Sequence, residues 1–207
     1  MKVNEIFFSI EGEGKRSGKI AAFIRLTGCN LRCFYCDTRY AFNEGKEMNI
    51  ADIAEAVKPY NNVTLTGGEP LIQNCHELIR LLAKHEVNIE TNGSIDLAEY
   101  LQYSNAFFTM DFKCLTSGMM SAMKEKNLEL LRNRDVLKFV VGSKCDLETA
   151  ETITLNISAT PHIYISPVFG EIEPLEVVEF MKERHLQNWH LQLQIHKIIW
   201  APDERGV

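Results

Sequence analysis

No stretch of the 207-residue sequence is apolar for the ~18 residues a transmembrane helix needs, so no span is expected. The amino terminus, Met1-Lys2-Val3-Asn4-Glu5, lacks an apolar run ending at a small-residue cleavage site, which argues against a secretory leader. There is no basic block: 28 acidic residues outweigh 22 lysines and arginines, for a net charge of −6. Extended binding to nucleic acid or to an anionic membrane surface is therefore disfavoured, although scattered basic groups remain to hold one small anion. Linkers, repeats and low-complexity tracts are missing too, so one domain over residues 1–207 is expected. With six cysteines and no leader, reduced thiols in the cytoplasm are expected rather than disulfides.

What the chain does have is a concentration of thiols. Cys29, Cys33 and Cys36 stand in a C-x3-C-x2-C array within Gly28-Cys29-Asn30-Leu31-Arg32-Cys33-Phe34-Tyr35-Cys36-Asp37. Three thiolates from one loop suit zinc or an iron–sulfur cluster. No histidine lies between Gly28 and Met48 to complete a local zinc tetrahedron. Zinc with a remote fourth ligand, three apolar buried thiols, and a cluster with one open iron all stay compatible with the spacing alone. Cys75, Cys114 and Cys145 have no such spacing and read as core or incidental thiols.

Strand-like runs cover Lys2–Ile10, Lys19–Leu26, Asn62–Thr66, Val87–Thr91, Ala106–Phe112, Val136–Val141, His162–Val168 and His190–Ile195. Helical periodicity covers Asn49–Lys58, Asn74–His85, Asp96–Tyr103, Met119–Asn133, Asp146–Asn156 and Pro174–His185. This alternation predicts an α/β fold, a parallel sheet with crossover helices. A full eight-unit barrel takes about 250 residues, so the expectation is a partial (β/α) barrel of about six parallel strands with an extra N-terminal strand.

Loops at the carboxyl ends of parallel strands are where ligands bind. The cysteine loop follows one such strand, and Thr66-Gly67-Gly68-Glu69-Pro70 follows another. Glu11-Gly12-Glu13-Gly14 reads either as a solvated turn or as a carboxylate pair for a donor-rich ligand. Arg25, one charge near the end of an apolar strand, either pairs internally or binds a carboxylate.

The cysteine array together with Thr66-Gly67-Gly68-Glu69-Pro70 resembles the radical S-adenosylmethionine (SAM) superfamily. Within it, the chain resembles the 7-carboxy-7-deazaguanine synthase family along most of its length. The matching stretches are Phe8–Gly14, Phe23–Leu31, Tyr35–Thr38, Glu90–Gly93, Asp111–Lys113 and Leu191–Lys197. That resemblance implies a 4Fe-4S cluster on Cys29, Cys33 and Cys36, and SAM bound at the fourth iron. It also implies that a 5′-deoxyadenosyl radical from reductive SAM cleavage takes hydrogen from C6 of 6-carboxy-5,6,7,8-tetrahydropterin. Rearrangement with loss of ammonia would give 7-carboxy-7-deazaguanine, the core of queuosine and related purines.

By the same resemblance, Tyr35, Gly67, Gly68, Glu69, Thr91, Asn92, Asp111, Lys113 and Ser117 would contact SAM. Ile10, Glu11, Gly12, Glu13, Arg25 and Thr66 would contact the pterin, with Arg25 on its carboxylate. Thr38 would offer an oxygen to Mg²⁺. The implied partners are an external electron donor of the flavodoxin or ferredoxin type and a second copy of the chain. Two positions depart from the family pattern. Cys114-Leu115-Thr116-Ser117 replaces a Pro-Ser-Ser stretch, and Glu11 stands where glutamine is frequent. A glycyl-radical activating enzyme shares both loops but acts on a protein, so the Glu11–Glu13 carboxylates and Arg25 argue against it. His196, near the last strand, could approach the site but is expected to be structural, and the tail to Val207 either frays or folds back onto the substrate.

Overall fold

The computed structural model describes residues 1–207 and contains nine strands in one sheet. In chain order these are β1 (Lys2–Ile10), β2 (Ile20–Leu26), β3 (Lys46–Glu47), β4 (Asn62–Gly67), β5 (Glu86–Thr91), β6 (Ala106–Lys113), β7 (Val136–Val141), β8 (His162–Pro167) and β9 (Trp189–Leu191). The spatial order is β3-β1-β2-β4-β5-β6-β7-β8-β9. From β2 through β9 every pairing is parallel, while β1 runs antiparallel to β2, and β3 antiparallel to β1. Because β3 and β9 are edges that do not meet, the sheet is a partial barrel. It has seven parallel strands rather than about six, since β2 joins the parallel set, and the N-terminal extra strand is β1.

The helices are α1 (Ile50–Val57), α2 (His76–Leu81), α3 (Lys126–Leu130), α4 (Lys144–Asn156), α5 (Pro174–Glu183) and α6 (His196–Ile199). None is long and apolar enough to cross a membrane. α1 buries Ile53 and Val57, and α2 buries Leu78 and Ile79, in a core that includes Ile24, Leu26, Leu65, Ile89, Phe108 and Phe139. Each such fully buried side chain contributes about 1.5–3 kcal/mol through lost apolar hydration.

Two helical expectations fail for one reason: tertiary hydrogen bonds outcompete the helical ladder. In the Met119–Asn133 stretch only a 3-10 turn at Met120–Ala122 and the short α3 form, because the Lys124 N–H donates to Gly93 O and the Asn127 amide bridges Gly93 O and Ile95 O. Asp96–Tyr103 keeps only a 3-10 turn at Ala98–Tyr100, where the Leu97 N–H is taken by Asn127 Oδ1. β9 is shorter than expected because the chain leaves the ladder after Gln192, whose N–H still donates to Ile165 O while its side chain turns to Gly14 and Glu13.

Strand parity explains which side faces the site. In β5, Val87 and Ile89 lie in the core, whereas Asn88 and Glu90 face the concave side. Thr64 and Thr66 on β4, Thr109 and Asp111 on β6, and Lys138 on β7 continue that polar layer.

Candidate active site

A cavity of about 300 Å³ opens at the carboxyl ends of the parallel strands. Cys29, Cys33 and Cys36, all unpaired thiols, form one wall. Burial raises the Cys29 and Cys33 thiol pKa values, helped by the neighbouring cysteines. A 4Fe-4S cluster takes one thiolate per iron, and three free thiols on one wall are the donor set for such a cluster with one iron left open.

Next to that wall, Gly67 and Gly68 leave β4. A Cβ at Gly68 would fall 2.3 Å from Gly28 O and 2.7 Å from Cys29 Cβ. Glycine there is required by the close approach of the two loops. Glu69, expected to touch SAM, does not line the cavity and is fully buried. Its carboxylate accepts hydrogen bonds from Leu71 N–H (3.0 Å), Thr91 Oγ1 (2.9 Å) and Asn92 N–H (2.6 Å). It is a strut joining the β4 and β5 loops, and burial pushes its pKa up to about 7 against the pull of those donors. Ser117 is also off the cavity. Its hydroxyl donates to Cys114 O (2.5 Å) and accepts from Met119 N–H (3.0 Å), closing its own turn.

Tyr35, Thr91, Asn92, Asp111 and Lys113 do line the cavity. The Lys113 ammonium sits 2.8 Å from Asp111 Oδ2, and burial is outweighed there by Asp111 and Cys33, which together hold it charged. Asp111 Oδ1 is buried with no partner. An orphan acceptor lining a cavity matches a ligand that brings hydroxyl or amino donors, as SAM does.

The same cavity is lined by Ile10, Glu11, Gly12, Glu13, Arg25, Thr38 and Thr66. Glu11 is held by the buried Arg16 and by the Thr64 hydroxyl. Glu13 pairs with Lys138 and accepts from Gln192 (2.9 Å) and Gln194 (2.5 Å). Burial pushes Glu13 up, but Lys138 and then Gln194 bring its pKa below the usual carboxylate range. Arg25 donates its Nε to Glu5 (2.7 Å) and lies over the Phe7 and Tyr40 rings. Its terminal nitrogens have no protein partner, which leaves the fork free for a carboxylate. The Thr38 hydroxyl donates to Asp37 (2.9 Å).

Several cavity residues were not singled out from the sequence. Glu90 lies behind Thr66, its pKa raised to about 7 by burial and then by Glu11. Lys138, Asp37, Lys197 and Gln194 also line the space. The usable signal for Glu90 was the polar parity of Asn88 and Glu90 in β5, and for Lys138 a lone charge inside an otherwise apolar strand. His196 is corrected: it belongs to the cavity wall, so close to Gly12 that a Cβ there would lie 2.0 Å from its Nδ1. The tail folds back, placing Val207 in the wall, with Arg205 on Glu44 (3.1 Å) and over the Tyr40 ring.

A three-cysteine loop and a glycine loop at the carboxyl ends of a partial parallel barrel define a radical SAM fold and site. The family model described as Radical SAM superfamily matches residues 23–142. A 7-carboxy-7-deazaguanine synthase from Clostridium acetobutylicum is 48% identical, covering 100% of this chain and 99% of its own. Another from Methanospirillum hungatei is 39% identical over 98% of this chain and 86% of its own. The chain belongs to the 7-carboxy-7-deazaguanine synthase family of the radical SAM superfamily. The crystal structure of QueE from Escherichia coli shares the fold, with a TM-score of 0.76 at 24% identity over 93% of each chain.

Proposed function

We propose that this chain, as one radical SAM domain over residues 1–207, converts 6-carboxy-5,6,7,8-tetrahydropterin to 7-carboxy-7-deazaguanine with loss of ammonia. The observation that carries this reading is one cavity lined both by the three thiols and by Glu11, Glu13 and Arg25. When bound, the cluster and SAM supply a 5′-deoxyadenosyl radical after one-electron reduction by an external carrier. The chain's own groups orient and desolvate. Arg25 takes the substrate carboxylate bidentately, and Glu11 and Glu13 accept from the N–H edge of the pterin. Thr66 and Ile10 line its face. Asp111, Asn92, Thr91, Tyr35, Lys113 and the Gly67–Gly68 backbone hold SAM, while Glu69 and Ser117 support the loops that do so.

Mg²⁺ belongs to the reading at Thr38. Donating its proton to Asp37 leaves the threonine lone pairs free for a hard cation, completed by substrate oxygens and water. The reading also carries a cytoplasmic homodimer.

The test is anaerobic reconstitution of the whole chain with iron and sulfide. It should take up about four irons, form 5′-deoxyadenosine from SAM and dithionite, and release the deazapurine carboxylate when the carboxylated tetrahydropterin is added. Protein that retains zinc and no iron, or product that appears only with a protein partner, overturns the reading.

A further inference from the structure

The cysteine loop has a second face. Between Cys33 and Cys36, Tyr35 lines the cavity, whereas Phe34 turns outward with 74% of its surface exposed, more than any other large apolar side chain in the chain. It is held rather than frayed. Its N–H donates to Ser117 O (3.2 Å), and its carbonyl accepts from Arg39 (2.7 Å). Its ring rests on Gly118, where a Cβ would come within 2.8 Å. Leu115, 58% exposed, stands in the same 3-10 turn that receives Phe34. A fixed aromatic with a bare face costs little entropy to bury and is the usual anchor of a protein interface.

Three cations stand on segments next to this anchor, Arg32 and Arg39 within five residues of Phe34 and Lys144 at the start of α4. Arg32 is exposed and donates to Cys29 O (2.9 Å) and Leu31 O (2.7 Å), both main-chain groups. Arg39 is exposed and donates to the Phe34 carbonyl. Lys144, also exposed, opens α4 directly after Ser143, whose hydroxyl meets that of Thr116 beside Leu115. None of the three pairs with a carboxylate, on a chain whose net charge is −6.

We infer that this face docks a small acidic electron-carrier protein. The inference rests on the radical SAM reading and adds the surface through which the site is supplied. The carrier loses one electron and the cluster on Cys29, Cys33 and Cys36 gains it; no bond or proton moves. An acidic partner matches the unpaired arginines and lysine. A carrier seated on Phe34 lies against the residue directly bonded to Cys33, on the side that SAM does not fill. A second copy of this chain fits less well, since a two-fold contact centred on Phe34 would set the arginines against themselves.

The test uses reconstituted holoenzyme with a flavodoxin and a plant-type ferredoxin as probes. Phe34→Asp should keep iron content and dithionite-driven 5′-deoxyadenosine formation. It should weaken carrier binding at least tenfold by calorimetry and slow the carrier-driven rate at subsaturating carrier by a similar factor. Phe34→Leu should restore most of both, and added salt should weaken wild-type binding. Lys144→Glu, outside the cluster loop, should weaken binding severalfold and decides the matter if Phe34→Asp loses iron. Unchanged carrier binding in these variants, or no binding of either probe to wild type, overturns the inference. So does a Phe34→Asp protein that changes from dimer to monomer with carrier binding intact, which would assign the face to a second copy. Wild-type holoenzyme that forms no 5′-deoxyadenosine with dithionite instead removes the radical SAM reading.

Discussion

At the scale of single residues, the site depends on side chains that brace other side chains. Arg25 is aimed by Glu5, which takes its Nε and also accepts from the Tyr40 hydroxyl at 3.2 Å. Glu5→Gln keeps the shape but replaces a charged acceptor with a neutral one, weakening that hydrogen bond by about half. The expected outcome is a threefold to tenfold rise in the Michaelis constant for the carboxylated pterin, about 1 kcal/mol, with SAM cleavage in the absence of pterin unchanged. A Michaelis constant equal to wild type would show that Arg25 needs no brace. Gly12 is a second such point. Gly12→Ala places a methyl where His196 Nδ1 lies, so the histidine must leave the wall. Fluorescence or calorimetric titration should show weakened pterin binding, with the folded fraction retained because both groups sit at the cavity rather than in the core. Tight pterin binding by that variant would exclude His196 from the substrate end.

At the scale of elements, loops are tied to one another by buried polar struts, and Glu69 is the clearest. Its two oxygens receive three donors from the β4 and β5 loops. Glu69→Gln turns one acceptor into a donor facing another donor, leaving at least one buried N–H unpaired. The expected cost is about 1–3 kcal/mol in urea unfolding, with an unchanged slope. A variant as stable as wild type would mean that the strut is dispensable. Much of this architecture was legible beforehand. The strands from β4 to β8 agree with their apolar runs to within a residue or two, because periodicity and burial act locally. Glu69 itself was legible as a site residue but not as a strut, since sequence carries no information on which way a loop carboxylate turns. The short helices α2 and α3 were overextended because contacts distant in sequence settle their ends: the Asn105 amide donates to Leu82 O beyond α2, and Asn127 and Gly93 hold the segment around α3. In sequence Glu90 stands out only within the Glu90–Gly93 stretch and Lys138 only as part of a strand, although Asn88 and Glu90 on one parity of β5, and a lone charge in the apolar β7, already signal a face turned to a wet cavity. His196 and Val207 reach the site only through the packing of the last segment, which no local pattern records.

At the scale of the whole molecule, the polar layer over the sheet makes stability depend on pH in a direction set by Glu90. This carboxyl is half-buried and opens on the cavity, beside Glu11 and Glu13 and opposite Lys138. Burial and then Glu11 raise its pKa to about 7, against an ordinary value of 4.5. Between those two values the folded chain holds a proton that the unfolded chain has released. Stability from this group is therefore greatest at low pH, declines as pH rises from about 4.5 to about 7, and is constant above. Other groups titrate across the same range. Glu69, raised to about 7 by burial, acts in the same direction as Glu90. His196 has its pKa lowered, first by burial, and favours the folded state as pH rises toward 6.5. Glu13, with its pKa lowered, contributes stability that is lost only on acidification below the usual carboxylate range. A difference measurement separates Glu90 from all three. Glu90→Gln keeps the size and removes the titration, so the stability of wild type minus variant should fall from pH 4.5 to pH 7.5. Solvent in the cavity screens the full linkage value, which leaves a drop of roughly 1–2 kcal/mol. Urea unfolding of the cluster-free chain at four or five pH values reads that difference directly. A flat difference would place the Glu90 pKa near its ordinary value, leaving the carboxylate charged in the cavity at neutral pH and compensated there by Lys138.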